Sequence, residues 1–433
     1  MSTAYASSAF VVFPNGSTTT LDIANFQALP PGSVVYISGR VEGSFVIDRP
    51  LKLVGRGAVF DGGGNGTVLR ILSSNVQVFN ITVENCGRVG LDSGIWVENA
   101  RGVVISNVTV RECLYPIMIY NSSDVVVAGS KIASFSVVPV VAFTGRGGVV
   151  LHELTQYFRG HGVYVWYSWN VTVADSYFTR TLDGVYCDHA YGLFVVGNRF
   201  FNGSRYGVHL MYCNDVVVKN NTVVDYVVGF IPMYSNRISI VGNLISDIRR
   251  IGGAGIVVFE SNDVVIRRNV VVRSYLALDF YRSPINPQSF VYVSDNVFAY
   301  NNIAVRLDPI SAPVVWRNIF IENIRNVLPL FNNKALLYNA SSKEGNYWGE
   351  PAYGQYVVTQ RVFDSLLQDN PQLEILYLTP AFSVLEFALG VKYPTGGELV
   401  DKYPQTPHVS IVPLLLFLIV VVLVLLYAWR RRP

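Results

Sequence analysis

Short apolar strands return along the chain at a near-constant interval, and inside each one the apolar residues alternate with others. The series runs Gly94-Ile95-Trp96-Val97, Pro116-Ile117-Met118-Ile119, Pro139-Val140-Val141-Ala142, Gly162-Val163-Tyr164-Val165 and Gly184-Val185-Tyr186-Cys187. It continues from Gly207, Gly229, Gly255, Ala277 and Ala304, giving steps of 22, 23, 23, 22, 23, 22, 26, 22 and 27 residues. Alternation puts one set of side chains inward and the other outward, as in a strand with one buried face. Helical repeats would show a 3.6-residue period, and the LxxLxL frame of a leucine-rich repeat is absent. A second strand recurs with Asn or a polar stand-in near its turn, at Asn80, Asn107, Asp175, Asn198, Asn220, Asn243, Asn269 and Asn318. Six residues after each leading Gly or Pro stands a small residue, such as Ala100, Ser122, Ser168, Ala190, Cys213, Ser235 and Ser261. Asn tolerates the left-handed backbone of a tight corner, and stacked amides can bond from coil to coil. The pattern predicts an all-β, right-handed parallel β-helix over residues 34–345, with eleven or twelve coils. Residues 1–33 form an N-terminal extension. Residues 346–407 form a tail that caps the last coils, because an open solenoid end exposes unpaired strand edges.

The pattern changes at the C-terminus. Val409 to Trp429 is a 21-residue run without a charge, long enough at about 1.5 Å per residue to cross a hydrocarbon core of roughly 30 Å. Arg430, Arg431 and Arg432 follow, so the positive-inside rule puts that end in the cytoplasm. The expectation is a single transmembrane helix over 408–429, a cytoplasmic Arg-rich end over 430–433, and the bulk on the extracytoplasmic side. The first residues lack a charged, apolar signal peptide, so export is read from the tail.

The net charge of +3 with no basic stripe excludes ordinary nucleic-acid binding. The four Cys form no CxxC, which argues against structural zinc. Nine N-x-S/T sequons fit glycans on an exported protein, and several fit equally an Asn corner followed by Val-Thr. Cys86 and Cys113 hold equivalent places on adjacent coils, either bridged by a disulfide or buried as two reduced thiols.

Taking Val208 and Leu210 as core makes His209 and Met211 outward-facing. The same offsets give a row through Trp96, Met118, Tyr164, Tyr186 and His209. A second row runs through Glu98, Tyr120, Phe143, Trp166, Asp188, Met211 and Met233. This face is too aromatic to be plain solvated surface. It reads as a functional surface of Tyr164, Trp166, Asp188, His189, Tyr212 and Tyr234, beside a His209, Met211, Met233 group. Imidazole and thioether suit copper, above all Cu(I), or the group forms an adaptable docking patch. Asp279 and Arg306 fall one coil apart, which favours a salt bridge over acid–base catalysis, and no carboxylate pair stands at glycosidase separation. The expectation is a protein without enzymatic activity.

Several stretches together resemble the NosD family. They are Gly39-Arg40-Val41-Glu42-Gly43 with Phe60-Asp61-Gly62-Gly63-Gly64, Arg205 to Asp215, Gly229 to Arg237, Gly345-Asn346-Tyr347-Trp348-Gly349, and Pro371 to Phe382. The likeness is colinear over about residues 35–405. It implies a β-helix of the pectin-lyase-like type. It also implies an accessory role in maturing the copper centre of nitrous oxide reductase, with an ABC-type transporter (ATPase and membrane subunit) as partner. Gly349-Glu350-Pro351-Ala352 stands where many relatives carry an Asp-rich loop, which argues against a calcium site there. The reading of a different class is a surface β-helix that binds or cleaves carbohydrate.

Overall fold

The computed structural model describes residues 8–21, 26–135, 159–329, 333–349, 354–358 and 399–405. They form a parallel β-solenoid. One sheet stacks twelve strands, one per coil, from Phe45–Ile47 to Arg325–Pro329. Two further strands per coil, such as Asn214–Lys219 and Thr222–Val224, build the other wall, a 24-stranded sheet that includes the N-terminal hairpin. The inward alternates are fully buried: Val208, Leu210, Phe230, Ile256 and Leu278 are each at most 1% exposed. Burial on this scale, at about 25 cal/mol per Å² of apolar surface, is the main term holding the coils together.

The corners explain the recurrent Asn. Seven buried residues, Asn198, Asn221, Asn243, Asn269, Asn296, Asn318 and Asn346, stack in one file. Each of the first six donates its amide to the oxygen of the next at 2.9–3.1 Å. Each also donates to a main-chain carbonyl, as Asn243 does to Val218, so the buried amides are fully partnered. The small corner residues Ser122, Ser168, Cys213, Ser235 and Ser261 are buried as the pattern requires. The Asn file differs from the expected set in one respect. Asn80, Asn107 and Asn220 are exposed, at φ of 58°, 53° and 55°. They make the left-handed corner itself, and the residue after it, such as Asn221, turns inward.

A second expectation is corrected. Pro139-Val140-Val141-Ala142 was expected to lead a coil, yet Ile117 pairs directly with Val163, Val126 with Thr172 and Ile132 with Phe178. No coil stands between these partners, and residues 139–143 lie outside the described residues. A Val-rich run at the right spacing mimics a coil strand, but the edges on either side already satisfy each other's hydrogen bonds. Residues 136–158 lie outside the described residues.

Both ends are covered. Ser8–Val12 pairs antiparallel with Thr18–Leu21 and with Ser33–Ser38, against the first coil. At the other end Trp348 stacks between Phe320 (4.4 Å) and Tyr356 (4.2 Å). Asp401 accepts from the Trp348 indole at 2.9 Å and the Asn346 amide at 2.7 Å. Tyr356–Val358 and Leu399–Asp401 form a small antiparallel pair whose Val358 and Leu399 join the main core. The expected transmembrane segment 408–429 lies outside the described residues, and among these no helix is long and apolar enough to cross a membrane.

Of the two alternatives left open for Cys86 and Cys113, the structure has the reduced, buried thiols, and the disulfide lies elsewhere. Cys187 and Cys213 form the disulfide, with Cα atoms 6.5 Å apart, while Cys86 and Cys113 are free and buried. Cys187 is an inward alternate and Cys213 a corner residue on the next coil, so one coil step brings them together. Sequence spacing alone does not distinguish these two pairs.

Candidate functional site

The outer face of the twelve-stranded sheet gathers the aromatic, imidazole and thioether side chains of the expected site. Register places Tyr164, Tyr186 and His209 in one row, and Trp166, Asp188, Met211 and Met233 in the next. These rows follow the alternation read from the sequence. His209, however, is only 4% exposed. The rings of Tyr186 and Tyr206 cover it, with centroids at 4.6 and 4.9 Å.

Beside His209 lies a group the sequence reading missed. His161, Asp183 and Arg205 recur at steps of 22 residues, just ahead of the three strands that begin at Val163, Val185 and Tyr206. Asp183 is fully buried and accepts both arms of Arg205, Nε at 2.8 Å and Nη2 at 2.5 Å, plus the Tyr206 amide at 3.2 Å. His209 Nδ1 lies 3.1 Å from its Oδ2, and His161 Nδ1 lies equally near but off the hydrogen-bonding direction. Burial works to raise the Asp183 carboxyl, but Arg205 and the two imidazoles hold it well below the usual range. Burial lowers His161, against the opposing pull of Asp183. The Arg205–Asp183 pair is therefore charged while His161 is neutral near pH 7. The signal was available: a cation, a carboxylate and an imidazole at one offset on three successive coils.

The two histidines do not share a metal position. The Tyr186 ring stands between them, 4.4 Å from His161 and 4.6 Å from His209. Among the described residues no group of three or more His, Cys, Asp or Glu is placed to hold a metal ion. The soft donors that remain are Met211 and Met233, register partners and half-buried. With them stands His209 Nε2, which is buried without a partner. A histidine whose Nδ1 faces a carboxylate is oriented as metal-ligating histidines are. This donor set fits Cu(I) in kind.

The remaining expected surface residues lie together. His189 contacts Asp188 at 2.5 Å. Rings run in file from Trp166 to Tyr167 (5.6 Å), His189 (5.1 Å), Tyr212 (4.8 Å) and Tyr234 (5.0 Å). Farther along, Arg306 clasps Asp279 at 2.7 and 2.6 Å and donates to Tyr281, so this pair forms the salt bridge its spacing implied.

Comparison with known proteins bears on this face. The model of the NosD family, described as a periplasmic copper-binding protein, matches residues 140–353, a stretch that contains every residue just named on this face. Those residues, just under half of the chain, are similar to the NosD family. A NosD relative from Pseudomonas aeruginosa, named a probable ABC transporter binding protein, is 42% identical over 78 residues. That match spans 17% of this chain and only 18% of the relative. The solenoid of this chain is shared at low identity with solved structures. The A-module of the mannuronan C-5 epimerase AlgE6 from Azotobacter vinelandii has a TM-score of 0.57 at 14% identity, over 74% of this chain and 92% of that one. The surface adhesin PfbA of Streptococcus pneumoniae has a TM-score of 0.50 at 14% identity, over 75% and 89%. These two establish the likeness of fold.

Proposed function

We propose that this chain is an extracytoplasmic accessory protein of copper handling, which assists maturation of the copper centre of nitrous oxide reductase alongside an ABC-type transporter. The observation that carries the reading is that the NosD family match spans the face where Met211 and Met233 are register partners next to His209. Copper is cargo in this reading. Two thioethers and one imidazole suit Cu(I), and the half-buried thioethers meet it before the covered His209 does. The role is non-enzymatic: of the carboxylates near the face, Asp183 and Asp279 are each clasped by an arginine, and Asp308 is held by the main-chain amides of Arg282 and Ser311. The charge-free segment 408–429 tethers the solenoid to the membrane, with the three arginines inside.

The test is the triple variant His209→Ala, Met211→Leu, Met233→Leu. Thioether-to-Leu changes keep volume, whereas His209→Ala removes a neighbour of buried Asp183, so the Met211→Leu, Met233→Leu double variant is measured beside the triple one. Cu(I) affinity, measured by competition with a chromophoric chelator, should drop at least tenfold, and reductase maturation in cells should fail. Unchanged affinity and maturation at normal protein levels would reduce this face to scaffold. A Leu416→Asp, Val421→Asp variant should leave the membrane fraction, and one that still sediments with membranes sinks the tether.

A further inference from the structure

One corner of the solenoid carries aromatic rings that the fold does not require. Tyr167, His189, Tyr212 and Tyr234 all sit in the left-handed region, at φ of 45°, 51°, 54° and 51°. Bulky L-residues adopt that region at a cost which Gly, Asn and Asp largely avoid. The same coils fill another left-handed corner with Asp175, Gly197, Asn220 and Gly242. At this corner, too, the preceding coils use Asn99 and Asn121. Rings therefore replace the easier residue over four consecutive coils at one corner.

A second file runs beside the first, on the other side of the buried corner residues Ser168, Ala190 and Cys213. Trp169 and Tyr191 are register partners there, 44% and 48% exposed. Among the described residues neither ring stacks on another ring, so their faces are open. Asn214, Asn236 and Asn262 continue the file, with their amides bonded in series at 3.2 and 2.9 Å. The nearest guanidiniums are already held, Arg101 by Asp124 at 2.7 Å and Arg237 by Asp215 at 2.6 Å.

We propose that these two files bind a neutral polysaccharide chain lying along the solenoid axis. Open ring faces take the apolar faces of pyranose rings. The tyrosine hydroxyls, the His189 ring and the Asn amides take sugar hydroxyls. The platform repeats once per coil, about every 4.8 Å, which suits a ligand that is itself periodic. Charge sets the class: among the described residues the corner's arginines are paired and Asp188 stands at its edge, so none of them is left free for a uronate polymer. A bilayer surface with anionic headgroups meets the same objection. The inference is independent of copper handling.

The experiment titrates the full chain with maltohexaose and cellohexaose, a hexa-uronate serving as the charged comparison, and follows heat and tryptophan fluorescence. At least one neutral hexasaccharide should bind, and the hexa-uronate should bind at least tenfold more weakly. Trp169→Ala with Tyr191→Ala should weaken binding at least tenfold, while Phe194→Ala, another exposed ring on the same strand, should not. The double variant should keep its Cu(I) affinity, so failure of the copper reading and failure of this one are separable. Absence of neutral-sugar binding by the unaltered protein, equal binding by the double variant, or equal affinity for the uronate would each overturn the proposal. So would association with anionic vesicles in place of sugar.

Discussion

Asp183 shows how much one side chain can carry in a solenoid. It has no solvent contact, and it joins three successive coils through His161, Arg205 and His209. Removing one partner from a buried ion pair typically costs about 3–5 kcal/mol, because the other charge is left uncompensated. Asp183→Ala should lose stability on that order in denaturant titration, whereas Asp215→Ala, whose pair with Arg237 is exposed, should lose less than about 1 kcal/mol. The same cluster sets a pH dependence. The folded pKa of His161 lies below its ordinary value of 6.5, so as pH falls through 6.5 the unfolded chain binds a proton that the folded protein resists. Asp183, depressed below 3.8, adds a loss of the same sign at lower pH. Stability should therefore decline on acidification below pH 6.5. A melting temperature that holds or rises between pH 6.5 and 5 would contradict this assignment.

At the scale of the strand and its corner, the Asn file separates fold from decoration. Asn243 uses both oxygen lone pairs and both amide protons inside the protein. Asn243→Ala would strand buried groups on two neighbouring coils, and each unsatisfied group costs about 1–3 kcal/mol. A loss of roughly 2–4 kcal/mol is expected, read as a lower denaturation midpoint with an unchanged slope. Asn220→Gly, one of the exposed corners, should be near neutral, since Gly accepts φ of 55° without strain. The sequence had placed Asn220 and Asn243 in one class, because both follow a strand at the repeat interval. What distinguishes them is a one-residue phase around the corner. That phase cannot be read from spacing when consecutive Asn residues, such as Asn220 and Asn221, both fit.

For the molecule as a whole, the end caps cover the strand edges through which a solenoid would otherwise pair with another chain. Asp401 is fully buried and receives the Asn346 amide and the Trp348 indole. Asp401→Ala should loosen that end, by about 2–3 kcal/mol of local stability, and expose unpaired edges. Faster proteolysis after residue 345 and a concentration-dependent rise in sedimentation would register it. The sequence by itself determined the solenoid, its coil length, the inward and outward rows, the Asp279–Arg306 pair and the register of Met211 with Met233. All of these follow from a period of two along each strand and a near-constant step between coils, which are local quantities. Tertiary structure alone decided which Val-rich run was a coil, since Ile117 pairs with Val163 across the expected strand at Pro139. It also decided which cysteines meet, because that depends on how deep each Cβ points. And it decided that His209 is covered, because burial depends on the Tyr186 and Tyr206 rings packed over it and on Asp183, a residue whose importance comes from its neighbours on other coils.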